Sequence, residues 1–153
     1  MEDTLTRIAA PEKVMQKIKR IAFEIAEDNY DEPEIVIAGI CKETEGYAFA
    51  TLLFNELIQI SKSHIILTHI ELDKHNPGDS EVALNLTEEE IDQRVIILAD
   101  DVSNTGRTIL YAMKPLLSYA PKKVRCAVLV ERKHKLFPIS PDYVGLSLST
   151  TIH

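Results

Sequence analysis

Five consecutive apolar residues, Val95-Ile96-Ile97-Leu98-Ala99, run without a break into two acids, Asp100-Asp101. A strand with one wet face alternates apolar and polar side chains, so an unalternated run has both faces covered, as in the interior of a parallel sheet. Ile35-Val36-Ile37-Ala38, closed by Gly39, is a second such run. Parallel neighbours must be joined by crossovers, and the chain carries helical patterns in the right places. Residues 11–29 place Val14, Ile18, Ile21, Ala22 and Ile25 at helical spacing behind Pro11; residues 47–60 do the same with Phe49, Ala50, Leu53, Phe54, Leu57 and Ile58. Further strands are expected at 64–70, 124–130 and 143–148, and a helix over about 105–118. The expected fold is α/β: a single domain over residues 1–153, with a mostly parallel twisted sheet and helices on both faces.

The chain has 153 residues, 45% hydrophobic and 27% charged, enough for one core and too apolar for a disordered chain. Its formal net charge of -7 argues against a partner bound through many phosphates, so RNA is not expected. No apolar run has the roughly 20 residues of a membrane helix, and Met1-Glu2-Asp3-Thr4 lacks the order of a secretion signal, which together predict a cytoplasmic protein with no membrane contact. Cys41 and Cys126 have no ligand or disulfide spacing, and His64, His69, His75, His134 and His153 show no metal pattern. Residues 71–93 differ from the rest: Asn76-Pro77-Gly78-Asp79 is a turn signal and Thr87-Glu88-Glu89-Glu90 is acid-rich, so the stretch is expected to be a mobile excursion or arm.

In open α/β sheets ligands sit beyond the carboxyl ends of the strands. After the most apolar strand, Asp100 and Asp101 offer paired carboxylates suited to the vicinal diol of a ribose or to a hydrated divalent cation. Ser103-Asn104-Thr105-Gly106-Arg107-Thr108 then offers hydroxyls, a glycine and the start of a helix, which suit a phosphate. Carboxylates for a sugar and a nest for its phosphate within a few residues fit one ligand carrying both, a ribose 5-phosphate.

Residues 95–108, VIILADDVSNTGRT, resemble the signature of the type I phosphoribosyltransferases, and most closely the DDV-x-x-TGRT form of the branch of bifunctional pyrimidine-operon attenuators and uracil phosphoribosyltransferases. Residues 127–134, Ala-Val-Leu-Val-Glu-Arg-Lys-His, then Leu136, Pro138, Ile139 and Asp142-Tyr143-Val144-Gly145 look like that branch's next segment, and Val36-Ile37-Ala38-Gly39-Ile40 like its first strand. The resemblance implies transfer of a 5-phosphoribosyl group from phosphoribosyl pyrophosphate (PRPP) to a nucleobase, uracil first, with magnesium, release of pyrophosphate and a homo-oligomeric protein. Asp100 and Asp101 would be the catalytic and metal-binding acids, and Ser103, Asn104, Thr105, Gly106, Arg107 and Thr108 would hold the 5-phosphate. Lys42, Thr44, Glu45 and Gly46, after the first strand, would face pyrophosphate, and Tyr143, Val144 and Gly145 the base.

Glu45 stands where the branch has an arginine. A like-charge contact near 4 Å is worth about 4 kcal/mol at a partly screened dielectric, or about three powers of ten in affinity, as an upper bound. The arm adds only Lys74 and His75 amid acids. The alternative to an enzyme is therefore a regulatory protein that keeps the ribose 5-phosphate pocket and senses a nucleoside monophosphate.

Overall fold

The computed structural model describes residues 10–78 and 81–149, so Asp79 of the turn signal, the first four residues and His153 lie outside the described residues. Helix α1 (Pro11–Asp28) starts on Pro11, whose missing N–H is no loss in a first turn, and buries Ile18, Ile21, Ala22 and Ile25 on one stripe. It stops at Asn29, whose side-chain amide donates to the Ile25 carbonyl at 2.8 Å. Strand β1 (Glu34–Ile40) is buried from Ile35 to its end. Helix α2 (Glu45–Ile60) begins two residues earlier than its apolar periodicity shows, because Thr44 accepts a capping hydrogen bond from Gly46. Then come β2 (His64–Glu71), β3 (Ala83–Leu84), the short helix α3 (Glu88–Ile91) and β4 (Val95–Ser103).

The helix expected over 105–118 divides into α4 (Arg107–Ala112) and a 3-10 turn (Lys114–Ser118). Pro115 has no N–H for the carbonyl a helical turn behind it, so the α pattern cannot continue through that position. Strands β5 (Lys123–Arg132) and β6 (Tyr143–Leu148) complete the chain.

The six strands are ordered β3-β2-β1-β4-β5-β6, and every pairing is parallel except β2 with β3. Strand β1 lies between β2 and β4, with Ile37 level with both Leu67 and Ile97. Phe49, Leu53 and Leu57 of α2 and Ile18, Ile21 and Ile25 of α1 cover one face with Ile35, Ile37, Val95 and Ile97. Ile109 of α4 and Leu116 cover the other with Val36, Ala38, Ile96 and Leu98. Helices on both faces of a mostly parallel sheet are thus what the unalternated runs predicted.

The stretch after β2, expected as a mobile excursion or arm, is anchored on the sheet. Ile91 is fully buried and Val82 nearly so, both in the second core, and Thr87 and Glu90 close a reciprocal capping box on α3. Both cysteines are buried and free. No helix among the described residues is long and apolar enough to cross a membrane.

Candidate active site

From β1 the chain turns to β2 on one side, while β4 lies on the other, so the sheet's switch point lies between the carboxyl ends of β1 and β4. The turn after β1 is built by Thr44, whose hydroxyl lies 3.0 Å from the Ile40 carbonyl and 2.8 Å from that of Cys41. Gly46 then passes directly against β4: a β-carbon there would overlap Oδ1 of Asp100 and stand 2.6 Å from the Ile40 carbonyl oxygen. The absence of a side chain at Gly46 is what brings the start of α2 against Asp100. Lys42 and Glu45 are exposed on this turn, and the Lys42 backbone N–H donates to Glu71 at 2.8 Å.

Asp100 is 2% exposed. Its Oδ1 accepts from the backbone N–H of Asp101 at 3.0 Å and from the Lys74 ammonium at 3.1 Å. Burial pushes its carboxyl up to about 7, with Asp101 adding to the rise and Lys74 opposing it. Burial is the largest single influence on Lys74 and opposes its charge, but the attraction and hydrogen bond of Asp100, with Asp101 and Cys41 adding to them, together hold the ammonium above its ordinary range. A carboxyl with a raised folded pKa favours the native state most at low pH, and that contribution is lost as pH climbs from the ordinary value of 3.8 through about 7. Asp100→Asn is therefore expected to flatten the fall of stability between about pH 4 and pH 7, checked by denaturant midpoints across that range; parallel curves for the two proteins would contradict it.

Strand β4 carries on through the acids to Ser103, which is 3% exposed, and the turn that follows is shaped by Gly106. Gly106 has φ 90 and a β-carbon there would lie 2.9 Å from Ile139, so both conformation and space call for glycine. The segment after β5 straps the turn from outside: the N–H groups of Leu136 and Phe137 both donate to the Thr105 carbonyl at 3.1 Å. Lys135 donates to the Ser103 hydroxyl at 2.9 Å while paired with Glu131 at 3.3 Å. Residues 102–109, with Lys74 from the arm, line a cavity of about 240 Å³. The arm is tied down a second time by Arg107, which donates to the His75 carbonyl at 3.1 Å.

A family profile described as the phosphoribosyl transferase domain matches residues 4–153. The chain belongs to the phosphoribosyltransferase family. Among curated relatives it is 37% identical over 142 residues to a protein called bifunctional protein PyrR from Streptococcus pneumoniae, covering 90% of this chain and 80% of the relative. Solved structures similar in fold include a hypoxanthine-guanine phosphoribosyltransferase from Bacillus anthracis, with a TM-score of 0.71, 20% identity and 92% and 80% of the two chains covered. A hypoxanthine phosphoribosyltransferase from Staphylococcus aureus gives a TM-score of 0.73 at 18% identity, covering 94% and 77%. At that identity the two structures speak for the fold alone.

Within the phosphoribosyltransferase domain the structure brings the acids, residues 103–108 and the turn of Thr44 and Gly46 to one end of the sheet. It does not bring the Tyr143 side chain there. Tyr143 begins β6, packs in the core under α1 and α2, and donates its hydroxyl to Asp28 at 2.8 Å, with burial pushing the phenol up. The carbonyls of Val144 and Gly145 accept from the Arg20 guanidinium, and a β-carbon on Gly145 would stand 2.5 Å from the Leu129 carbonyl oxygen. The Tyr143 side chain and the bare Gly145 are thus packing features, and the expected contact of this segment with the base is one of backbone. Sequence reasoning passed over Lys74 as a contact and did not single out Lys135. The strand-end rule that drew attention to the turns after β1 and β4 applies equally to the turns after β2 and β5, where these two lysines stand.

Proposed function

We propose that this family member is a phosphoribosyltransferase that moves the 5-phosphoribosyl group of PRPP to a nucleobase, uracil first, and releases pyrophosphate. The observation that carries the reading is the cavity at residues 102–109, at the carboxyl end of a central strand and next to a carboxylate pair in the same strand. Backbone and hydroxyls of Ser103, Asn104, Thr105, Gly106, Arg107 and Thr108 suit the 5-phosphate. Breaking the bond at the anomeric carbon builds positive charge on the sugar, which a carboxylate at the diol stabilises. The 37% identity to PyrR, together with the DDV-x-x-TGRT form, supports a pyrimidine over a purine.

Magnesium suits the site as a shared ion rather than a caged one. Among the described residues no three His, Cys, Asp or Glu side chains converge, and magnesium characteristically takes one or two carboxylates plus substrate phosphates. Asp101, partly exposed, is the acid with access, since Asp100 is engaged by Lys74. When bound, the ion neutralises the leaving pyrophosphate. The homo-oligomer is carried by the family resemblance and is tested by sedimentation.

Incubation with magnesium, PRPP and a panel of bases is expected to release pyrophosphate with uracil; no turnover with any base would remove the transferase reading. Glu45, exposed at the first position of α2, favours a second reading, a sensor that binds a nucleoside monophosphate without chemistry. Calorimetry separates it: UMP must bind more tightly than uridine, with no pyrophosphate formed. Glu45→Arg is expected to tighten pyrophosphate binding, by up to about a thousandfold if the charge reversal is fully felt. An unchanged affinity would show that the side chain faces away.

A further inference from the structure

The outward side of α1 carries a pattern that the chain's own packing does not use. Exposed positions recur at Gln16, Lys19, Phe23 and Glu27 and continue to Tyr30 just past the helix end, in steps of three and four that make one stripe facing away from the sheet. Phe23 stands in its middle, 60% exposed, and Tyr30 is 78% exposed. Charge is sorted along the same helix: Lys13, Lys17, Lys19 and Arg20 precede Phe23, whereas Glu24, Glu27 and Asp28 follow it. The last turn has no basic residue, although the carboxyl end of a lone helix is negative and favours cations. Asp28 is used within the chain by the Tyr143 hydroxyl, and Arg20 by Glu24 and the β6 carbonyls. Lys19 and Glu27 have no ion-pair partner among the described residues.

We infer that α1 is an interface for a second copy of this chain, the two helices packing antiparallel about a two-fold axis at Phe23. The stripe is self-complementary about that residue. Lys19 and Glu27 are each four positions from Phe23, and Gln16 and Tyr30 each seven. An antiparallel crossing there sets Lys19 against the partner's Glu27, Gln16 against the partner's Tyr30, and Phe23 against the partner's Phe23, with each unlike pair made twice as a two-fold contact requires. A parallel pairing would set lysine on lysine and acid on acid, so charge selects the direction. Helix α2 widens the surface: it has two charged residues in 16, Ile58 is 52% exposed, and its end shares with Ala26 and Tyr30 a cavity of about 220 Å³. Three of the five large apolar side chains left exposed among the described residues, Phe23, Tyr30 and Ile58, therefore belong to the α1 and α2 layer. Tyr30 precedes β1 and the end of α2 precedes β2, so this surface extends toward the amino ends of the strands and leaves the candidate site of each copy open. Nothing in the pairing depends on the transferase reading.

The test is sedimentation equilibrium of the full chain and its variants from about 1 µM to about 100 µM. The wild type is expected as a dimer or an even multiple of one. Phe23→Asp should weaken association about 100-fold, because it puts two carboxylates on the axis. Lys19→Glu and Glu27→Lys should each weaken it about 10-fold, since the axis counts every change twice. Mixing the Lys19→Glu and Glu27→Lys chains should restore association to the wild-type strength, because unlike charges then face each other at both contacts, and the double variant should associate with itself equally well. All three positions lie on the helix surface, so unfolding midpoints should stay near wild type. A wild type that is monomeric throughout overturns the inference. A dimer that all three single changes leave intact overturns it too, and puts the contact on another face. Single variants that are weakened but do not recover on mixing overturn the antiparallel two-fold pairing.

Discussion

Gly46→Ala is expected to lower stability by about 3 kcal/mol and to abolish PRPP binding. The added carbon would overlap Asp100 Oδ1 and stand 2.6 Å from the Ile40 carbonyl oxygen. Neither can yield cheaply: the first is a buried carboxylate held by Lys74 and the Asp101 N–H, the second is backbone at the end of a central strand. The start of α2 must withdraw instead, taking the turn of Thr44 with it. Gly106→Ala is a weaker perturbation of the fold. Its cost combines a left-handed φ of 90, about 1–2 kcal/mol, with a contact at 2.9 Å to the Ile139 side chain, which can shift. Denaturant midpoints of the two variants check the ordering. A wild-type midpoint and wild-type binding for Gly46→Ala would mean that α2 does not press on Asp100 as described.

Asp101→Asn is expected to reduce kcat/KM with PRPP and uracil by about 100- to 1000-fold while leaving stability within about 0.5 kcal/mol of wild type. Asp101 is partly exposed at the end of β4, whereas its neighbour Asp100 is 2% exposed and bound to Lys74. The more accessible acid is therefore the one placed to meet a sugar hydroxyl or a substrate-bound ion. Losing its charge weakens the stabilisation of positive charge developing on the ribose, which is a transition-state effect and should appear in kcat more than in KM. An Asp101→Asn protein with full kcat would transfer that duty elsewhere. If Asp100→Asn alone lost kcat with PRPP binding intact, the division of labour between the two acids would be reversed.

The two adjacent acids show where reading the chain succeeds and where it stops. Burial on both faces is written in unalternated apolar runs, so β1 and β4 were legible as interior strands, and the rule that ligands sit at strand ends pointed to residues 100–108. The same local pattern treats Asp100 and Asp101 as equals. Successive side chains in a strand point to opposite faces, so which acid is buried depends on what covers each face. Here it is an arm lysine 26 residues earlier, and no local period announces that partner.

Tyr143 illustrates the same limit from the other side. Its position after a predicted strand boundary matched a base-contacting segment, yet its ring belongs to the core under α1, with a hydroxyl bound to a helix end 115 residues away. Pro115 is the opposite case, since its missing N–H is a local fact and its breaking of the 105–118 helix follows from covalent structure alone.

The amino-acid order by itself determined the parallel α/β sheet, its central strands and the turn suited to a phosphate, because burial pattern, glycine and proline act through neighbours in the chain. Only the folded protein decided that Asp100 faces Lys74, that Gly46 must lie bare against it, and that Tyr143 turns inward. Those outcomes depend on segments far apart in sequence meeting at one end of the sheet, where charge pairing and close packing choose among orientations that local preference leaves equal.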